Sequence, residues 1–234
     1  MRGFKLALVL GAAVVLASPA LAQRGRGGMF GGNFFANPSF LIRAEKVQKD
    51  LGLDKDKAAK VEAALTKARE ENQDEFGKLR DASPEERAEI MKKINAANDK
   101  AINSVLDEKQ QKRLHQIVLQ QQGIGALQQE DVQKALKLSD EQKEKIKDIQ
   151  GDLQKEMQGL FQPGEKPDFQ AMQKKMEGLR KEAMTNATKV LNDDQKKTFK
   201  DLTGEPLELK PEDFPQGFGR GGRGGKPDKP RTDF

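Results

Sequence analysis

The sequence predicts an all-α fold, on three observations. Apolar residues recur at intervals of three and four through the middle of the chain, polar cap motifs stand at the heads of those stretches, and no stretch alternates with a period of two for long enough to form a strand. The balance of 35% hydrophobic to 34% charged residues suits long helices with narrow apolar stripes.

Ahead of the helices, MRGFKLALVLGAAVVLASPALAQ has basic residues at Arg2 and Lys5, an apolar run over residues 6–17, and Ala20 and Ala22 flanking Leu21. That layout predicts a secretory signal over residues 1–22, cleaved after Ala22, in a run too short to span a bilayer comfortably. The mature chain is therefore expected to be exported, without stable membrane insertion, and in the absence of cysteine to hold together by packing alone. Residues 23–43 and 210–234 are rich in Gly, Arg, Phe or Pro and lack a helical period, which predicts flexible tails. GFGRGG at residues 217–222 matches a dinucleotide fingerprint only formally, because no strand pattern precedes it. The net charge of +5 resides in the signal and the tails, so a nucleic-acid-binding core is not expected.

Between the tails the pattern gives two helical units, residues 44–122 and 126–209, separated by a glycine linker at 123–125. In the first, Ala58, Val61, Leu65, Ala68, Phe76 and Leu79 mark one face, interrupted by Asn72. Ser83 followed by Pro84 then starts a helix through Ile90, Ile94, Ala97, Ala101 and Val105. In the second, Ile146, Ile149, Leu153, Met157 and Leu160 form the face after Ser139. The turn QPGEKPD precedes a helix from Asp168 through Phe169, Met172, Met176, Leu179, Ala183, Ala187 and Val190.

Four related motifs punctuate these units: LDKDK at 53–57, LDEKQ at 106–110, LSDEQ at 138–142 and LNDDQ at 191–195. Asp54, Asp107, Ser139 and Asn192 are residue types that cap a helix by accepting from a free first-turn N–H. Gln110, Gln142 and Gln195 can reach back to the cap's own N–H and close a capping box, whereas Lys57 takes the glutamine's place in the first copy. Leu53, Leu106, Leu138 and Leu191 precede the caps. The usual staple partners would be Lys143, Lys196 and Gln111, so these leucines are expected to pack between helices instead.

VQKDLGL from residue 47 and VQKALKL from residue 132 lie 85 residues apart, and Val61 and Ile146, Phe76 and Phe161, Met91 and Met176, and Val105 and Val190 keep that offset. The spacing predicts a tandem duplication of a four-helix unit with two long and two short helices. Each copy alone buries little core, so the two are expected to pair as an internal pseudo-dimer, with a homodimer of whole chains as the alternative.

The recurring motif, the helical pattern and the export signal together resemble the Spy/CpxP family of periplasmic proteins, whose hallmark is a Leu-Thr-x-x-Gln motif occurring twice in a small helical chain. The resemblance covers residues 44–205, and no copy here has Thr at the cap. It implies a periplasmic, ATP-independent chaperone that shields unfolded or aggregation-prone envelope proteins. Family chaperones form cradle-shaped antiparallel dimers, which a tandem chain could build within one molecule. Some members inhibit signalling kinases, which leaves open an envelope sensor or regulator with one dedicated partner. A third reading, an Arg-Gly nucleic-acid binder, rests on the tails alone.

The side-chain inventory points to binding rather than catalysis, and no catalytic residue, cofactor or metal ligand is expected. His115 is the only histidine and is expected on a helix surface beside Leu114, Ile117 and Val118; without cysteine there is no thiol nucleophile. A carboxylate metal bundle needs Glu-x-x-His, and Lys112 stands where that glutamate would be. The cluster Glu70, Glu71, Asp74 and Glu75 reads as a solvated helix face. Met157, Met172 and Met176, with Met184 and Met91, are candidate client-binding residues because a flexible thioether adapts to many partner shapes, although core packing is the plainer role for positions that continue an apolar stripe. Phe30, Phe34 and Phe35, with Phe40, are further candidates, since apolar residues in a flexible tail have no core to join.

Overall fold

Helices begin where the sequence places its capping side chains. In the computed structural model, which describes residues 36–160, 169–210 and 213–214, Asp54, Ser83, Asp107, Ser139 and Asn192 each accept a hydrogen bond from the backbone N–H three residues on. These residues all belong to one compact unit, residues 32–234; the signal at 1–22 and Phe30, Phe34 and Phe35 lie outside the described residues.

Ten helices and one 3-10 segment, with no strand, make up the regular structure among the described residues. Short α1 (Pro38–Leu41) and α2 (Glu45–Asp50) lead into α3 (Lys55–Glu71) and α4 (Gln73–Lys78); the chain returns as α5 (Pro84–Asn103) and closes with α6 (Glu108–Gln122). A 3-10 segment, Gly123–Gln128, is followed by α7 (Glu130–Leu136), α8 (Asp140–Gly159), α9 (Phe169–Val190) and α10 (Asp193–Thr203). Asn72 divides α3 from α4 because its carboxamide donates to the Ala68 carbonyl at 2.7 Å and competes with the helix for it. α3 packs on α5 and α8 on α9 as two hairpins, and α6 lies against α10. Of the helices described, none is long and apolar enough to cross a membrane.

The apolar stripes close into two cores. The first gathers Leu41, Val47, Val61, Ile102, Leu106 and Ile117; the second gathers Leu127, Val132, Ile146, Ala187, Leu191 and Phe199. Burying a side chain such as Ile146 completely contributes about 1.5–3 kcal/mol. The two cores trade chain ends. Leu119, near the end of α6, and Ile124, in the 3-10 segment, belong to the second core, while Leu207, Leu209 and Phe214, beyond α10, pack against the first. Phe214 stacks on Phe40 with ring centroids 4.6 Å apart.

Bonds in one half recur in the other at the 85-residue spacing. Gln48 Nε2 donates to the Ile42 carbonyl at 3.0 Å, and Gln133 Nε2 to the Leu127 carbonyl at 3.2 Å. Gln110 Nε2 donates to the Leu51 carbonyl at 3.0 Å, and Gln195 Nε2 to the Leu136 carbonyl at 3.2 Å. α2 and α7 also end alike. Gly52 (φ +63°) and Lys137 (φ +51°) take the left-handed conformation, and the next N–H, of Leu53 or Leu138, donates back to Gln48 or Gln133.

Several boundaries differ from those the sequence predicts. Residues 36–43, expected in a flexible tail, are packed: Asn37 and Pro38 start a helical turn, Phe40 is buried, and Leu41 and Ile42 are buried in the first core. A Gly-rich neighbourhood masks that short apolar run. The glycine linker at 123–125 is part of a 3-10 turn with Ile124 buried, because the apolar side chain beside the glycines finds the second core. The tail from 210 contributes Phe214 to the first core. Phe76 and Met91, expected on the apolar faces, are 37% and 40% exposed, Met91 beside the buried Ile90 on α5.

Candidate functional site

The two motifs of the second half meet each other. Leu138 and Leu191 are buried, which fixes the adjoining helix starts, and each start is closed by a capping box. The Gln142 N–H donates to Ser139 Oγ at 3.2 Å and the Ser139 N–H donates back to Gln142 Oε1 at 3.1 Å; the corresponding distances at Asn192 and Gln195 are both 2.9 Å. The two carboxamides then pair reciprocally. Gln142 Nε2 donates to Gln195 Oε1 at 2.8 Å, and Gln195 Nε2 donates to Gln142 Oε1 at 3.0 Å. Each also donates to a backbone carbonyl, Val190 at 2.9 Å and Leu136 at 3.2 Å. The glutamines thus fasten the starts of α8 and α10 to each other and to the ends of α9 and α7.

In the first half Lys57 replaces the first glutamine of that pair, and its ammonium lies 3.3 Å from the Asp107 carboxylate. The Gln110 backbone N–H and then the Lys57 ammonium hold the Asp107 carboxyl below its usual value. Gln110 keeps its capping box and its bond to Leu51, but an ion pair stands where the second half has an amide pair. Leu106 is buried and Leu53 partly buried against the first core. The motif residues use their polar atoms within the fold, as fasteners between helix ends.

A different surface carries apolar side chains that neither core buries. In the second hairpin the last buried residues are Leu153 on α8 and Ala183 on α9, yet the apolar stripe continues past them. Among residues 154–160 and 170–182 none is buried, although this stretch carries Met157, Leu160, Met172, Met176 and Leu179. Met157, Leu179 and Met184 are partly buried against the second core; Met172 and Met176 are partly buried as well, but outside it. Phe76 and Met91 occupy the corresponding part of the first hairpin, with the Arg69 guanidinium 5.9 Å from the Phe76 ring centroid. Lysine–carboxylate pairs line the outer faces of α8, among them Lys145–Glu141 at 2.7 Å and Lys155–Asp152 at 3.1 Å. The result is a set of dispersed, adaptable apolar side chains ringed by charge.

Other candidate positions are accounted for within the helices. Glu71 and Glu75 lie against Lys67 and Lys78, and among the described residues no group of three acidic or histidine side chains converges as a metal site. His115 is on the surface of α6, 4.0 Å from the Asp131 carboxylate. The helical pattern places the segment after α10 with the second unit, whereas the chain crosses there to the first core; the alternation Leu207, Glu208, Leu209, Lys210 is the signal that marks the crossing. No family model matches the chain, and no curated protein or solved structure matches it.

Proposed function

We propose that this chain is an exported, ATP-independent chaperone-like protein that holds unfolded or aggregation-prone envelope proteins on the outer ends of its two hairpins. The single observation that carries the reading is the apolar stripe of α8 and α9 running past its own core, with Met172 and Met176 only partly buried and outside that core. A holder without a nucleotide cycle releases its client only if the grip is weak and adaptable, which favours scattered thioethers and aromatic rings among charges over a deep pocket. We further propose that the two halves are copies of one duplicated unit paired as an internal pseudo-dimer. The recurrence of the Gln48 and Gln133 bonds, and of the Gly52 and Lys137 turns, supports that origin.

Light scattering of several unrelated proteins as they aggregate tests the function. The mature chain should suppress aggregation at near-stoichiometric ratios without ATP, and joint Met172→Ser and Met176→Ser changes should weaken suppression while circular dichroism retains the parent helicity. Folded parent protein that protects no client would refute the chaperone reading in favour of a regulator with one dedicated partner.

A further inference from the structure

We infer that the surface of α2 and α6 beneath the segment following α10 is a seat for extended polypeptide, occupied in this structure by the chain's own residues 205–210. The inference rests on the chaperone reading and adds a second place, of different character, where a client binds.

The segment lies as an extended peptide would. Leu207 and Leu209 turn toward the first core, while Pro206, Glu208 and Lys210 are exposed, the alternation of a strand-like chain on one surface. Its backbone is held by side chains. Gln120 Oε1 accepts from the Leu207 N–H at 2.8 Å, and Gln120 Nε2 and Arg113 Nη1 donate to the Glu205 carbonyl at 2.7 and 2.9 Å. Lys46 Nζ donates to the Glu208 carbonyl. These grips are made to peptide groups, which nearly every residue offers, so they select for an extended chain with alternate apolar side chains rather than for one sequence. Two of the supports lie outside the occupant: Arg113 is paired with Asp50 at 2.6 Å, and α6 is anchored by Leu114 and Ile117 in the first core. Alongside, an open depression of about 370 Å³, lined by Leu119, Met184, Phe199 and Pro206, continues the apolar surface. The occupant is itself only half-buried, so an unfolded chain with alternating apolar residues displaces it.

A labelled peptide of residues 204–214, GEPLELKPEDF, reads the seat directly by fluorescence anisotropy. In the parent the tethered segment competes at an effective concentration on the order of millimolar. The full-length chain carrying Leu207→Ser and Leu209→Ser should therefore bind the peptide at least roughly tenfold more tightly than the parent. A reduced, alkylated unfolded protein should displace it. Equal binding by both chains, no binding by a variant of parent helicity, or binding that the unfolded protein leaves untouched each overturns the inference. If the double variant loses helix, Leu209→Ser alone makes the same comparison, and equal binding there likewise overturns it. The light-scattering result for the parent is read separately: suppression without peptide binding removes this seat only, and peptide displacement without suppression removes the proposed function only.

Discussion

Gln195→Ala should be among the most costly single changes outside the apolar cores. The side chain is 8% exposed and takes part in four hydrogen bonds: from the Asn192 N–H, to the Leu136 carbonyl, and to and from the Gln142 carboxamide. Losing the cap contact costs about 1 kcal/mol, leaving the buried Leu136 carbonyl without its bond about 1–3, and dissolving the amide pair about 1 more. The expected loss is roughly 3–5 kcal/mol, a third or more of the stability of an ordinary domain. Gln142→Ala should cost less, about 2 kcal/mol, because Gln142 is only partly buried. The two losses should not add: once one carboxamide is gone the pair is already broken, so the double variant should be more stable than the sum by about 1 kcal/mol. Urea unfolding followed by far-ultraviolet circular dichroism measures all three, and suits a chain without Trp or Tyr. Additivity within about 0.3 kcal/mol would show that the reciprocal pair contributes nothing, and the fastener account would fail.

Three further outcomes are expected. Lys57→Gln offers Gln110 the amide partner present in the other half; two new bonds at about 1 kcal/mol each, less an exposed ion pair of up to about 1, should raise stability by roughly 1–2 kcal/mol in the same urea assay. Lys137 carries a left-handed φ that its counterpart Gly52 adopts freely, so Lys137→Gly should stabilise by about 0.5–1 kcal/mol after the glycine's extra unfolded-state entropy is deducted, and Gly52→Ala should destabilise by about 1. The folded Asp107 carboxyl lies below its ordinary 3.8, so its contribution is complete above that pH and is lost as pH falls through the lower folded value. Asp107→Asn, which still caps, should flatten the acid limb of a stability–pH curve below 3.8, and an unchanged limb would count against a carboxyl held low by the Gln110 N–H and Lys57.

What the sequence discloses and what it hides divide along a physical line. Ser83, Asp107, Ser139 and Asn192 are legible as caps because a cap and its target N–H lie three residues apart, so local chemistry decides the outcome. The pairing of Gln142 with Gln195 spans 53 residues and depends on how the α8–α9 hairpin folds back, which no local pattern records. Phe40, Leu41 and Ile42 stay hidden because three apolar residues are too few to show a period, and their glycine-rich flank outweighs them. For Met172 and Met176 the helical spacing is right but does not fix its own meaning: a stripe shows which side of a helix is apolar, not where along its length the neighbouring helix stops covering it.

The exchange of chain ends imposes a timetable on synthesis. Phe40 and Lys46 acquire their partners Phe214 and Glu208 only when nearly the whole chain has been made, and the Lys46 contact alone closes a loop of 162 residues. At ribosomal speeds of about 5–20 residues per second, the first core waits roughly 10–30 s for its last apolar contributions. Such long-range closure slows folding and leaves the early half loosely shut in the meantime. A product cut short before Leu207 would keep all of its helix-forming sequence and still leave that half unsealed, so proteases should degrade truncated chains from the end synthesised first.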